Sequence, residues 1–193
     1  MADSNIKPTK VLFESLVKLY KQGQLLLLDA DRIMGENGWT PMTSTILSGL
    51  SYAIGHPERW YLRWATRFYL PEANEDEKIE ILRIPFISIH FTSDHDTTVD
   101  EPLVSAGWLL YHKAMEIKEA QRNCDYWMCK YWFRGEPNDS LDNWRRTGQS
   151  QVKPNLKGTE TFVVPLFDIA SSEKLEELVI KPLLNREEYQ AAT

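Results

Sequence analysis

Residues 78–91 read Lys-Ile-Glu-Ile-Leu-Arg-Ile-Pro-Phe-Ile-Ser-Ile-His-Phe, the strongest strand signal in the chain. Half of these side chains are β-branched or aromatic, the types that are enriched in strands. An acidic run precedes the stretch and a polar run follows it, and both have the composition of turns. We therefore predict that residues 78–92 form the central strand of a sheet. Pro85 cannot donate a ladder hydrogen bond, which indicates an edge position or a bulge at that point.

Three further strands are predicted near residues 60–70, 103–111 and 160–169. In residues 60–70, apolar side chains alternate with Tyr and Arg side chains, which is the period of two of a strand. The connection between the central strand and residues 103–111 is short for a parallel crossover, so these two strands are expected to be antiparallel. Residues 43–54 combine helical and extended signals and are a candidate for a fifth strand.

Helical periodicity marks both ends of the chain and one internal segment. Apolar residues recur three and four apart before Gly23 and again after it, which predicts an N-terminal helical hairpin or one kinked helix. The same spacing predicts a helix near residues 113–134. A C-terminal helix is expected near residues 172–184, after a pair of serines that can cap it.

These elements predict an α+β fold with a mainly antiparallel sheet and with the helices packed largely on one face. A length of 193 residues suits one globular domain. Residues 1–8 and 186–193 are expected to be frayed ends of that domain.

Charge and cysteine content narrow the functional classes. The formal net charge is −6 and the pI is about 5.3, so the chain has no general attraction to phosphate backbones or anionic lipid. No stretch has the length of an apolar membrane span. Cys124 and Cys129 are too few for a disulfide framework. We therefore expect a soluble, cytoplasmic protein that does not bind membranes.

The first candidate site lies on one face of the strand at residues 60–70. Tyr61, Arg63, Arg67 and Tyr69 share that face under a period of two. Guanidinium groups bind phosphates and carboxylates, and rings stack on bases or other planar groups. The pattern predicts a binding module that recognises an anionic small molecule or a protein partner, and it does not exclude nucleic acid. The alternative is that the rings fill the core and the arginines cover them.

The second candidate site follows the central strand and contains His90, Asp94, His95 and Asp96. Imidazole and carboxylate groups are ligands of divalent first-row metals, and loops at strand ends commonly carry such sites. This cluster, extended by the acidic residues up to 101, suggests a metal-dependent hydrolase or nuclease with a divalent metal as cofactor. A solvated acidic loop explains the same residues.

A third functional class is a homo-oligomer or a complex subunit without a small-molecule site. An exposed apolar patch around Trp127, Tyr131 and Trp132 would favour it, because large exposed apolar patches mark interfaces. The sequence leaves this alternative open beside the binding module and the metal enzyme.

Overall fold

The computed structural model describes residues 8–44, 47–48, 62, 64–72, 80–91, 101–120, 145–147 and 156–185. A long helix, α1, spans Pro8–Glu36. The strands are β1 (Trp39–Pro41), β2 (Leu47–Ser48), β3 (Trp64–Pro71), β4 (Glu80–His90), β5 (Leu103–Glu116), β6 (Arg145–Thr147) and β7 (Leu156–Pro165).

The C-terminal helix, α2, has three parts. It begins with the α-helical turn Ser172–Leu175 and continues as the π-helical segment Glu176–Ile180. Residues 181–185 are α-helical again. A short 3-10 turn, Leu166–Asp168, connects β7 to this region. No helix in the described parts of the chain is both long and apolar enough to cross a membrane.

Within the described residues, the strands form one sheet in the order β1-β3-β4-β5-β7-β6, and β2 also pairs with β3. Every described strand pair is antiparallel. β4 has the interior position expected for the central strand, and β5 is its antiparallel neighbour as predicted. The predicted α+β class with an antiparallel sheet is confirmed.

Pro85 lies in an interior strand and not at an edge. It is opposite Trp108 of β5, whereas the described pairing of β4 with β3 covers residues 86–90 and stops at Phe86, the residue after the proline. The β4–β5 register also shifts between Ile81 and Arg83. A proline is tolerated here because the ladder on one side stops next to it.

Of the two predicted N-terminal alternatives, the helical hairpin is wrong, because α1 is one helix that runs through Gly23. The glycine allows close packing and does not make a turn. A Cβ atom at this position would lie 2.8 Å from Cζ of Phe91 and 3.2 Å from Cδ1 of Ile89. Glycine therefore lets α1 approach the end of β4 more closely than any other residue would.

The boundary between β5 and the following helix also differs from the prediction. We expected a helix from residue 113, but β5 continues to Glu116 and residues 117–120 are helical. Pairing with β4, which joins Glu80 to Glu116, overrides the helical propensity of the Lys-Ala-Met-Glu segment. The rest of the predicted helix, residues 121–134, lies outside the described residues.

Other boundaries shift by smaller amounts. β7 ends at Pro165, and the predicted strand to residue 169 is replaced by the 3-10 turn. In the region from 43 to 54, β2 is a described strand of two residues. Its pairing with β3 makes it an extension of the sheet edge.

α1 and α2 pack on one face of the sheet, the helix face. The core on this helix face joins α1 residues such as Leu26 and Ile33 to strand residues such as Ile87 and Phe162 and to Leu183 of α2. Nε1 of Trp108 donates a hydrogen bond to the carbonyl oxygen of Leu183 at 3.1 Å, which ties β5 to α2. A second cluster, which includes Phe68, Ile84, Phe86, Leu109 and Met115, is buried on the opposite face.

Candidate functional site

The first predicted site is partly described, and its two described members contact α1. The Arg67 guanidinium forms an ion pair with the carboxylate of Asp31, to which Nε donates at 3.2 Å. Nη1 of Arg67 donates to the carbonyl oxygen of Thr43 at 2.8 Å. The Tyr69 hydroxyl donates to Oδ1 of Asp31 at 3.0 Å. These bonds connect α1, β3 and the chain after β1.

Burial determines the chemistry of this cluster. The side chains of Arg67 and Asp31 are only 11% and 16% exposed, so their charges are largely removed from water and balance each other. Burial, and secondarily the Asp31 carboxylate, raise the pKa of the Tyr69 hydroxyl well above its ordinary value. The described contacts give Arg67 and Tyr69 a structural role. Tyr61 and Arg63 lie outside the described residues, so the ligand-binding role of the four residues stays a prediction.

His90, the one described member of the predicted metal site, lies at the end of β4 on the face opposite the helices. Its Nε2 and Oγ of Ser105 are hydrogen-bonded at 2.7 Å. Burial lowers the pKa of the His90 imidazole to about 3, so the ring is neutral at physiological pH. Asp94, His95 and Asp96 lie outside the described residues.

A second polar pair lies beside His90 on the same face. Thr66 and Ser88, which are opposite each other in β3 and β4, are hydrogen-bonded through their hydroxyl groups at 2.6 Å. Thr66, Ser88 and Ser105 are all buried. The three hydroxyls and the His90 ring thus form two hydrogen-bonded pairs across three strands. Among the described residues, no group of three or more His, Cys, Asp or Glu side chains is placed to hold a metal ion.

The N-terminal half of α1, residues 9–21, differs from these polar clusters because it carries exposed apolar side chains. Leu12, Leu19, Leu26 and Ile33 follow one another at intervals of seven, so they lie along one side of the helix. Leu26 and Ile33 are buried in the core of the helix face, and Leu19 packs at its margin. Leu12 is 69% exposed. The side of α1 that packs on the sheet is therefore buried at Leu26 and Ile33 and exposed at Leu12.

Large apolar side chains also occupy other sides of this half. Val11, Phe13 and Val17 are exposed together with Leu12, and Phe13 is 62% exposed. A helix that carries apolar residues around most of its circumference is normally covered. The charged residues of this half are Lys10, Lys18 and Lys21 with Glu14 as the one acid, so its formal net charge is +2.

A groove of about 600 Å³ lies next to this half, between α1 and the chain from Leu166 to Leu175. Leu25 and Phe167, both more than 60% exposed, stand at its sides. Buried Leu26, Leu166 and Leu175 contribute to its lining. We call this feature the acidic groove, since Asp29 and Glu173 line it and Asp168 lies between two of its lining residues.

The polar groups of the acidic groove are held in place. Oγ of Ser172 donates to Oδ2 of Asp29 at 2.7 Å, which fixes the start of α2 against α1. Ser171 caps α2 by accepting a hydrogen bond from the Lys174 backbone N–H. A side-chain hydrogen bond with Ser171 lowers the pKa of the Glu173 carboxyl group. Residues 22–29 and 166–173 contain three acidic residues and no Lys or Arg.

Sequence reasoning missed both α1 surfaces, although a signal was present. The seven-residue spacing of Leu12, Leu19, Leu26 and Ile33 is visible in the sequence, but spacing alone does not show where the sheet ends beneath the helix. The patch predicted around Trp127, Tyr131 and Trp132 lies outside the described residues.

Comparison with family models, curated proteins and solved structures finds no match to the chain.

Proposed function

We propose that this protein is an interaction module that binds a partner protein through the N-terminal half of α1. One observation carries the proposal. Leu12 lies on the same side of α1 as Leu26 and Ile33, which are buried in the core, but Leu12 is 69% exposed. The surrounding exposed residues Val11, Phe13 and Val17 enlarge the surface. Large apolar surfaces of this kind mark protein interfaces.

The proposal favours a macromolecular partner over an anionic small ligand. The Arg67 guanidinium already binds the Asp31 carboxylate and the Thr43 carbonyl oxygen. The exposed part of α1 instead offers apolar side chains with lysines beside them, which suits an apolar surface that carries acidic groups. The cytoplasmic location belongs to the same proposal and rests on the cysteine content and charge of the sequence.

Site-specific photocrosslinking tests the proposal. Phe13 is replaced by photoreactive benzoylphenylalanine in the full chain, and the same replacement at Leu82, an exposed leucine of β4, is the matched control. After irradiation in extract of the source cells, the crosslinked protein is identified and purified. We expect a specific product from position 13 and none from position 82.

Purified components then measure the contribution of Leu12. Leu12→Lys should raise the dissociation constant for the identified partner about tenfold or more, because an unpaired ammonium group in an apolar contact costs about 1.4 kcal/mol or more. Leu82→Lys should leave it unchanged. Equal crosslinking at the two positions, or full affinity of Leu12→Lys, contradicts the proposal.

A further inference from the structure

The apolar side chains of the N-terminal half of α1 form two neighbouring rows. Each row has the i, i+4, i+7 spacing that keeps side chains on the same side of a helix. The rows are Leu12, Leu16, Leu19 and Phe13, Val17, Tyr20. The first members of the rows are 69% and 62% exposed, whereas the last members pack at the margin of the core. Both rows are therefore open to a partner at the start of the helix.

The width of this apolar surface limits the shape of the partner. At 3.6 residues per turn, Val11 and Phe13 lie about 100° to either side of Leu12, and Val17 lies about 40° beyond Phe13. The apolar arc is thus about 240° wide, whereas a stripe of roughly 100° or somewhat more is enough for packing on one surface. Within the arc, the Ser15 hydroxyl donates to the Val11 carbonyl oxygen at 2.8 Å. A flat partner would leave one edge of the arc in water, so a partner that covers it must surround the helix.

Lysines stand at both edges of the apolar arc. Lys18 follows Val11 by seven residues and lies at the same edge, within about 20°. Lys21 follows Val17 by four residues and lies at the other edge, about 40° beyond it. Both lysines are exposed, and neither forms an ion pair within the part of the chain that the structure describes. The edges of the arc therefore attract carboxylates.

The other two charges of this half form a pair on its polar side, where Nζ of Lys10 lies 3.8 Å from Oε1 of Glu14. Their formal charges cancel, so the charge of +2 belongs to the lysines at the edges. A second copy that offered the same surface would bring like charges together. A lipid surface fits less well, because an interfacial helix buries only one face. In addition, −6 for the chain and +2 for this half leave −8 for the rest, which anionic lipid repels.

We propose that the partner protein receives the N-terminal half of α1 in an apolar cleft whose two rims carry Asp or Glu side chains. This inference rests on the proposed function and describes the site that the partner must have. Apolar grooves bind amphipathic helices through anchors at i, i+4 and i+7, which both rows supply. The floor of the cleft contacts Leu12, its walls contact Val11 and Phe13, and the polar side of the helix stays in water.

Photocrosslinking from three directions around the helix tests the shape of the partner. Benzoylphenylalanine replaces Val11, Phe13 or Glu14 in three separate variants of the full chain, and each variant is irradiated in extract of the source cells. Positions 11 and 13 face opposite walls of the cleft, so both should give a crosslink to the same protein. Position 14 lies on the polar side and is the control, which should give none. Melting temperatures show whether each variant is folded.

A carbodiimide, which joins an amine directly to a carboxylate, tests the acidic rims. With the protein identified from position 13, Lys18 and Lys21 should each couple to Asp or Glu side chains, which mass spectrometry of the joined peptides locates. Lys118 and Lys157, exposed lysines outside α1, are the controls and should not couple to that protein.

Charge reversal measures the contribution of the rims. Lys18→Glu combined with Lys21→Glu should raise the dissociation constant about tenfold at low salt, because two attractions become repulsions. The effect should shrink at high salt, which screens exposed charges. Lys118→Glu combined with Lys157→Glu makes the same change of net charge and should leave the dissociation constant unchanged.

The outcomes separate this inference from the proposed function. A crosslink from only one of positions 11 and 13, or lysines that couple to no carboxylate of the partner, overturns the cleft and leaves the interaction module standing. A product that contains only this chain, at twice its mass of 22.5 kDa, also overturns the cleft and identifies a second copy. If no position gives a product, both proposals fail. Binding to vesicles of phosphatidylserine and phosphatidylcholine that the Lys18→Glu and Lys21→Glu changes abolish would then assign the surface to a membrane.

Discussion

The two halves of α1 carry the same apolar spacing in different surroundings. In the C-terminal half, residues 23–36, the apolar side is covered by the sheet and by α2, and Asp31 adds an ion pair to β3. In the N-terminal half, the same side is exposed at Leu12. The spacing of apolar residues thus shows which side of a helix is apolar. It does not show which part of the protein, or of a partner, packs against that side.

Truncation of equivalent positions in the two halves tests this difference most directly. Ile33→Ala should lower the free energy of unfolding by about 2–5 kcal/mol, because it leaves a cavity in the core. Leu12→Ala should change it by less than about 0.5 kcal/mol, as expected for an exposed position. Urea unfolding is measured at a concentration at which the protein is monomeric. Similar losses for both variants would show that the halves are packed alike.

Removal of the Asp31 carboxylate tests the polar part of the same contrast. Asp31→Ala leaves the Arg67 guanidinium without its counter-charge in a site that is only 11% exposed. We expect a loss of about 3 kcal/mol, the lower end of the range for breaking a buried ion pair, because both side chains keep some contact with water. Glu14→Ala, which removes an exposed partner of Lys10 in the N-terminal half, is the control.

The control should change stability by no more than about 0.5 kcal/mol, as is typical of an exposed ion pair within a helix. Thermal unfolding of the two variants provides the comparison. A loss for Asp31→Ala as small as that for Glu14→Ala would mean that the cluster with Arg67 and Tyr69 does not anchor α1.

The two described glycines within α1 offer a smaller contrast. Gly23→Ala places a Cβ 2.8 Å from the Phe91 ring, and this close contact should destabilise the protein by about 1–3 kcal/mol. The higher helix propensity of alanine offsets part of that loss. Gly35→Ala has no atom within 4 Å of the new Cβ and should gain about 0.5–1 kcal/mol. Chemical denaturation measures both. A gain for both variants would remove close packing as the reason for glycine at position 23.

Sequence reasoning found the strands of the sheet but misjudged how helices meet it. β3 is predicted by the alternation of apolar side chains with Tyr and Arg, and β4 by its richness in β-branched and aromatic residues, and both signals are local. A glycine inside an apolar pattern has two physical explanations, a break or a close approach, and only the position of Phe91 distinguishes them. β5 is longer than predicted because its last residues pair with β4, and the local sequence does not show such tertiary pairing.

The candidate site was harder to predict than the fold for a related reason. A period of two places Arg67 and Tyr69 on one side of β3, but it does not show what faces them. Asp31, their partner, lies 36 residues before Arg67 in the sequence. The exposure of the N-terminal half of α1 could not be predicted either, because the sequence does not show which part of a helix the sheet covers.

The polar pairs on the sheet face opposite the helices restrict errors in strand alignment. A slip of one residue between strands exchanges the two faces and exposes the core, so apolar alternation alone opposes it. A slip of two residues preserves that alternation. Between β3 and β4 such a slip would, however, separate Thr66 from Ser88 in either direction. Between β4 and β5 it would separate His90 from Ser105 in one of the two directions, because these residues are diagonal neighbours. A buried hydroxyl that loses its hydrogen bond costs about 1–3 kcal/mol. These side chains therefore select the native register from the misaligned states that hydrophobicity tolerates.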